Sequence, residues 1–332
     1  MAVLIKWRIL LAFAAVYIIW GSTYIAILFG LEGFPPFLMS GFRFCLAGLL
    51  LYGWCKWKGI KANGKSALTT NTICGILMLF GGTVSVVWAE QWIPSSYAAI
   101  IVTSVPFWFI LLDRKQWPYY FSNKKILLGL LIGFLGVILL VGFDKSGSTS
   151  VDSGRQLIAA LVLLAGGIAW ASGSLYARNR PTGNNLMIDA SIQLIAAGVF
   201  CFLVGVSAGE LNEFSFNAIP ISSWLAIGYL ITLGSIVAYL SYLYLLKVRP
   251  AAQVATYAYV NPVVALFLGA VFAGEQVTYF KILALIVIIA GVLLVNIQKY
   301  KKQSGNTKND NDEKPGTTYK ILSRKFFHHN RA

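Results

Sequence analysis

Ten runs of apolar residues follow one another along the chain, at about 9–29, 35–54, 71–92, 95–112, 126–143, 157–177, 187–208, 222–246, 250–273 and 279–298. A helix needs roughly 20 apolar residues to cross the hydrocarbon layer of a bilayer, and most of these runs are about that long. The pattern predicts an all-α integral membrane protein with ten transmembrane helices joined by short connections, and it leaves no room for a soluble domain between them. The first run follows Lys6 and Arg8 as a secretory signal would. It continues to Gly30 without a small-residue cleavage site, so it is expected to remain as a span.

The pattern is written twice. Adding 156 to Pro94, Pro106 and Lys125 gives Pro250, Pro262 and Lys281. Prolines number only 10 in 332 residues, so this register is not expected by chance. Trp20 is echoed by Trp170 at an offset of 150, and the run opening at Gly136 by the run opening at Gly291 at an offset of 155. Five spans is an odd number, so the second copy must enter the membrane upside down relative to the first. Inverted repeats of this kind enclose a site near the bilayer midplane in secondary transporters. The expected units are residues 1–143, 144–298 and a polar tail, 299–332.

Composition sharpens this reading. Hydrophobic residues make up 58% and charged residues 12% of the chain, and the mean hydropathy is +0.71; a soluble domain carries about 25% charged residues. The net charge of +15 would suit a nucleic-acid binder, but Lys and Arg collect in alternate connections rather than on one patch, so no nucleic-acid partner is expected. Lys6 and Arg8, then Lys56, Lys58, Lys61 and Lys65, then Arg114, Lys115, Lys124 and Lys125, then Arg178 and Arg180, then Lys247 and Arg249 fall on one side with the basic tail. The opposite connections hold only Lys145, Arg155 and Lys281. The positive-inside rule then places both termini in the cytoplasm. Cys45, Cys55, Cys74 and Cys201 lie in apolar runs without Cys-x-x-Cys spacing and read as small core residues, not as metal ligands or a disulfide. The tail, with the chain's two histidines, is expected to be mostly disordered, and its Tyr319–Phe327 piece has the basic and apolar positions to rest on anionic lipid.

Several residues are candidates for the pathway. Pro106 and Pro262 each lie twelve residues past the proline that opens their helix, about 18 Å along it. A proline at that depth frees a backbone carbonyl that protein or a wet cavity must satisfy, so the pair is expected to kink symmetrically beside the pathway or, more plainly, to serve packing. Arg43 is about 12 Å into the second span and Glu90 near the outer end of the third. Embedded charges are costly unless paired or hydrated, so the two are expected to interact or to share a vestibule, the plainer reading being that Glu90 sits in interfacial water. Polar and aromatic residues recur in the first, third, fourth, sixth, eighth and ninth runs: Trp20, Ser22, Thr23, Tyr24, Trp88, Tyr97, Thr103, Trp170, Ser172, Tyr176, Tyr239, Tyr242, Gln253, Thr256, Tyr257 and Asn261. Those six spans are expected to surround a cavity, with the apolar fifth and tenth as scaffold, although any single aromatic is more often packing than ligand contact.

Trp20-Gly21-Ser22-Thr23-Tyr24, Gly41-Phe42-Arg43-Phe44 with Ala47, the stretch from Pro94 to Pro106, and Asn261-Pro262 leading to Gly274-Glu275 resemble the EamA family of the drug/metabolite transporter superfamily. The resemblance covers residues 8–298. It implies two inverted five-helix repeats, a cavity lined by the six spans above, alternating-access export of small metabolites or amino acids, and a multi-pass place in a bacterial inner membrane. No cofactor, metal or catalytic residue is expected. The family's Gly-Glu is missing from the first copy, where Tyr119 stands opposite Glu275. A membrane-embedded enzyme would be expected to gather histidines, acids or metal ligands at one interface, and no span holds a histidine. A passive facilitator for neutral solutes remains the alternative to a transporter. Small solutes and lipids are the expected partners, and a monomer the expected state.

Overall fold

In the computed structural model the described residues are 2–114, 117–122, 124–143, 153–249, 251–274, 276–291, 293 and 294. Seven helices among them are long and apolar enough to cross a membrane. We label the principal helices α1 (Ala2–Leu31), α2 (Pro36–Trp57), α3 (Lys65–Ala89), α4 (Ser95–Leu112), α5 (Lys124–Phe143), α6 (Ser153–Asn179), α7 (Leu186–Ser207), α8 (Ile221–Val248), α9 (Tyr257–Phe272) and α10 (Tyr279–Gly291). No strand occurs among the described residues. The tail, Pro250 and Glu275 lie outside them, as do the side chains of Tyr119 and Gln253.

Prolines set several starts. Pro35, Pro94 and Pro220 stand as N-caps with extended ψ of 149°, 149° and 154°, positions where a missing N–H costs nothing. Large apolar side chains such as Leu11, Leu131, Leu203 and Phe267 point outward at 64%, 63%, 63% and 66% exposure. A soluble protein would bury them; in a bilayer that face meets acyl chains.

Three helices depart from regular α geometry. The middle of α3 is π-helical over Gly75–Val84 and the middle of α8 over Leu230–Ala238. Adding 155 to 75 gives 230, and adding 154 to 84 gives 238, so the irregularity recurs in the register of the sequence repeat. Helix α4 breaks at Thr103–Ser104 and restarts at Val105, with Pro106 in its first turn. A corresponding break at Ala255–Thr256 separates the short Ala251–Val254 helix from α9. Pro106 thus follows its break directly, whereas Pro262 lies six residues beyond its own, inside continuous helix. Both prolines are buried.

The α2–α7 crossing is reciprocal. A methyl on Gly48 would meet the Ile195 amide nitrogen at 2.9 Å and the Ser191 carbonyl oxygen at 3.0 Å; on Gly198 it would meet the Cys45 amide nitrogen at 2.6 Å and the Gly41 carbonyl oxygen at 3.1 Å. Shifting 48, 45 and 41 by 150 gives 198, 195 and 191, so each helix offers its partner the same surface. Near one end of the crossing Gly205 faces Phe37 and Leu38. Residue numbers fall on α2 as they rise on α7, so the two helices are antiparallel. A second reciprocal contact joins α5 to α10, Gly136 against Ile288 and Gly291 against Gly133, and 136 and 133 shifted by 155 are 291 and 288.

Candidate functional site

Between the two halves lies a cavity. Trp20, Thr23, Tyr24 and Ile27 of α1, Arg43 and Phe44 of α2, the 79–86 region of α3, Val102 and Val105 of α4, Leu163, Gly166, Gly167 and Trp170 of α6, Gly234, Ser235 and Tyr239 of α8, and Tyr257 and Asn261 of α9 line it. Irregular backbone opens this space. The π-helical stretches of α3 and α8 and the broken α4 all reach it, and interrupted helices are tolerated at membrane depth where they line a cavity. Glycines let the helices close around it: a methyl on Gly82 would lie 2.8 Å from the Trp170 ring, and one on Gly21 2.7 Å from Val264.

Aromatic rings form one wall. Trp20 lies 5.3 Å from Trp170, 5.1 Å from Tyr242 and 5.1 Å from Tyr257, centroid to centroid, and Trp170 lies 5.0 Å from Tyr242. Edge-to-face and tilted pairs at these separations are favourable beyond their buried area. Hydrogen bonds fix the rings: Trp20 Nε1 donates to the Gly234 carbonyl in the π-helical stretch at 3.2 Å, and the Tyr242 hydroxyl pairs with Ser174 Oγ at 2.7 Å. With its amide turned to suit its neighbours, Asn261 Nδ2 donates to the carbonyls of Tyr17 and Tyr257, each at 3.1 Å.

Arg43 is the charged side chain among the lining residues. It is 3% exposed, Nε donates to Ser235 Oγ at 2.8 Å, and Cζ lies 5.1 Å from the Phe44 ring centre. Nη1 is buried without a hydrogen-bond acceptor in the protein.

A polar cluster continues from the cavity toward the basic loops. The Tyr239 hydroxyl donates to Gln193 Oε1, Gln193 Nε2 donates to Asn71 Oδ1 at 2.7 Å, and Asn71 Nδ2 donates to Asp189 Oδ1 at 2.7 Å. Asp189 also accepts from Thr182 Oγ1 at 2.7 and 2.9 Å, from Asn184 Nδ2 at 3.0 Å and from Lys247 Nζ at 3.2 Å. Asn63 ties the two basic loops together, its amide donating to Asn184 Oδ1 at 2.7 Å and its Nδ2 to the Thr182 carbonyl at 3.1 Å.

The sequence model of the EamA-like transporter family matches residues 6–142 and again 157–297. The chain belongs to this family. An inner membrane transporter of Escherichia coli strain K12, YedA, itself described as uncharacterized, is 37% identical over 294 residues, 87% of this chain and 90% of that one. A probable amino-acid metabolite efflux pump of Salmonella typhimurium strain LT2 is 25% identical over 85% of this chain and 92% of its own length. A crystal structure 19% identical in sequence shares the fold, with a TM-score of 0.61 over 88% of this chain and 98% of the other. With its apolar helices, this family membership makes the chain a multi-pass membrane protein and assigns it a general transporter role.

The cavity gathers some of the residues that the sequence singled out and leaves others apart. Trp20, Thr23, Tyr24, Arg43, Trp170, Tyr239, Tyr257 and Asn261 line it, and Tyr242 packs behind the ring wall. Others are turned elsewhere: Ser22 to the Tyr229 hydroxyl at 2.5 Å, Thr256 to the Tyr17 hydroxyl at 2.7 Å, Thr103 to the Ile100 carbonyl at 2.6 Å and Ser172 to the Ile168 carbonyl at 2.7 Å. Trp88 packs on Trp92 and Tyr176 under Arg180. Tyr97, Pro106 and Pro262 pack close by without lining the cavity. Arg43 turns to Ser235 of α8, and Glu90 is 4% exposed rather than lying in interfacial water. The expected six helices all contribute, with α2 added through Arg43 and Phe44. Sequence reasoning passed over Ser235, Gln193, Asn71 and Asp189 as a group, since no local pattern brings residues of α3, α7 and α8 together.

Proposed function

We propose that the chain is a secondary transporter of ten membrane helices in two inverted five-helix repeats, residues 1–143 and 144–298, exporting small metabolites or amino acids from a bacterial cell by alternating access. The observation that carries this is the reciprocal antiparallel crossing of α2 and α7, with its counterpart between α5 and α10. A two-fold relation in the membrane plane produces antiparallel self-contacts of this kind, and the cavity sits where the two copies meet. The recurrence of the π-helical stretches at offsets of 154 and 155 supports the same reading. An aromatic chamber with a single charge suits neutral, zwitterionic or singly charged solutes better than polyanions. The relative named as a probable amino-acid metabolite efflux pump agrees with this choice.

Both termini are cytoplasmic in this reading, by the count of basic residues per loop. The cluster from Tyr239 to Asp189, with the Asn63 ties, then lies between chamber and cytoplasm as the inner gate. Counterflow in proteoliposomes tests the function. Vesicles preloaded with a candidate amino acid should accumulate its labelled form transiently above equilibrium. Flux that only equilibrates, with no overshoot, would point to a facilitator and sink alternating access. Cysteine labelling at positions 61 and 305 in intact cells checks the orientation: labelling from outside would reverse it.

A further inference from the structure

Arg43 is a buried cation with one nitrogen unpartnered in the protein. A guanidinium stays protonated in any protein environment, and a buried charge is tolerated when it is paired. Here the charge is 3% exposed and lines the cavity, Nε is held by Ser235 at 2.8 Å, and Nη1 meets no acceptor. The bond to Ser235 fixes the plane of the group, and Gly234 leaves it room, since a methyl there would come within 3.0 Å of Nη2. Asp189 is occupied by its own donors in the cluster at the basic-loop end, and Glu90 is not among the lining residues. A ligand in the chamber can supply the acceptor that the protein does not.

Resting on the transporter reading, we propose that Arg43 anchors a carboxylate, so that the chamber takes small organic monocarboxylates, amino acids included. Planar guanidinium and planar carboxylate match in geometry and make strong charge-assisted hydrogen bonds. With one cationic side chain on its wall, the chamber balances one negative charge, which disfavours di- and tricarboxylates and phosphate esters. The rest of the ligand meets Trp20, Trp170 and Tyr257, whose faces hold apolar groups or, for a zwitterion, an ammonium by cation–π attraction.

The test is a titration of the purified full-length protein in detergent, read by intrinsic tryptophan fluorescence. Three matched pairs serve as probes: butyrate and butyramide, 3-phenylpropanoate and 3-phenylpropanamide, and L-phenylalanine and L-phenylalaninamide. At least one carboxylate should bind ten times or more tightly than its amide. Arg43→Gln should abolish that preference and Arg43→Lys should keep part of it, both variants first shown to elute and melt as folded protein; should Arg43→Gln not fold, the wild-type preference and Arg43→Lys decide. The proposal is overturned if no carboxylate binds, if each pair binds equally, or if Arg43→Gln retains the preference. If the preference holds but the same carboxylates do not cross proteoliposomes, the anion site stands and the transporter reading falls. If a solute crosses equally well through wild-type and Arg43→Gln protein, the transporter reading stands and the anion site falls.

Discussion

Helices α2 and α7 are two copies of one element put to different uses. Each has 22 residues, and adding 150 to the bounds of Pro36–Trp57 gives those of Leu186–Ser207. The eighth residue of each is polar and buried: Arg43 at 3% exposure and Gln193 at 2%. Gln193 is satisfied on both sides, giving to Asn71 and accepting from Tyr239. Arg43 keeps a nitrogen without an acceptor. The same difference runs through their surroundings: the α7 side has a carboxylate, Asp189, ringed by donors, while the α2 side has a lone cation at a cavity wall. A buried polar group with every partner present rigidifies the fold, and one with a partner missing is primed to receive it. Duplication lets one copy serve as lock and the other as site.

That contrast is most severely tested at Asp189. Asp189→Ala strands the buried Asn71 donor and the half-buried Thr182 and Asn184 donors, and leaves Lys247 without its counter-charge. Removing one member of such a network costs roughly 3 kcal/mol, Lys247 being 52% exposed and able to recover water. The variant should show the largest fall in melting temperature of those proposed here. A fall no greater than that of a surface substitution would mean that the cluster is not a lock.

The crossing itself comes next. A methyl on either Gly48 or Gly198 would press on backbone atoms of the partner helix at 3.0 Å or less, and backbone cannot give way cheaply. Gly48→Ala and Gly198→Ala should each destabilise by about 2 kcal/mol, as overpacked sites do. Because the contact is reciprocal, the two losses should agree closely in thermal melts. Large loss at one site and none at the other would show that the halves are not equivalent here.

How much of this was legible in the chain depends on the range of each signal. The apolar helices, seven of them of membrane-spanning length among the described residues, were readable because apolar runs and prolines are local features. Trp20, Thr23, Tyr24, Trp170, Tyr239, Tyr257 and Asn261 stood out as polar or aromatic residues in apolar surroundings and do line the chamber. Ser22, Ser172, Thr103 and Thr256 looked the same in sequence but satisfy themselves on carbonyls or tyrosines, and side-chain direction on a helix is not encoded in residue type. Depth in a span suggested that Arg43 and Glu90 interact or share a vestibule, but depth does not say which neighbour a side chain faces, and Arg43 faces Ser235. Ser235, which holds Arg43 from α8, is one hydroxyl among many in the sequence. The π-helical stretches carry no proline or charge that would announce them.

Tyr239 joins the two regions, lining the chamber while donating to Gln193 on the lock side. Tyr239→Phe removes one hydroxyl and leaves Gln193 Oε1 without that donor, at a cost of about 1 kcal/mol. The functional effect should be larger than the stability effect suggests, because the link between chamber and gate is cut: counterflow should slow at unchanged carboxylate affinity. Weakened affinity with normal flux would instead make Tyr239 a ligand contact.

The smallest effect belongs to the other end of α2, where Glu210 caps the first turn by accepting from the Phe37 and Leu38 amides at 3.2 and 2.8 Å. The corresponding end of α7 uses a neutral cap, Asn185, which accepts from the Met187 amide at 2.9 Å. Burial raises the Glu210 carboxyl above its ordinary 4.5, and the two amide bonds only partly offset this. An acid whose folded pKa is raised favours the folded state most below its unfolded value, and that contribution is lost as pH climbs through the raised one. Wild-type protein should therefore lose a little stability as pH rises from about 4.5 toward neutrality. Glu210→Gln, which keeps a carbonyl acceptor but cannot ionise, should not, so the melting-temperature difference between the two should move in favour of the variant across that window. A difference that stays flat, or moves toward wild type, would show that the amides and the helix N-terminus outweigh burial and that the charge is welcome there.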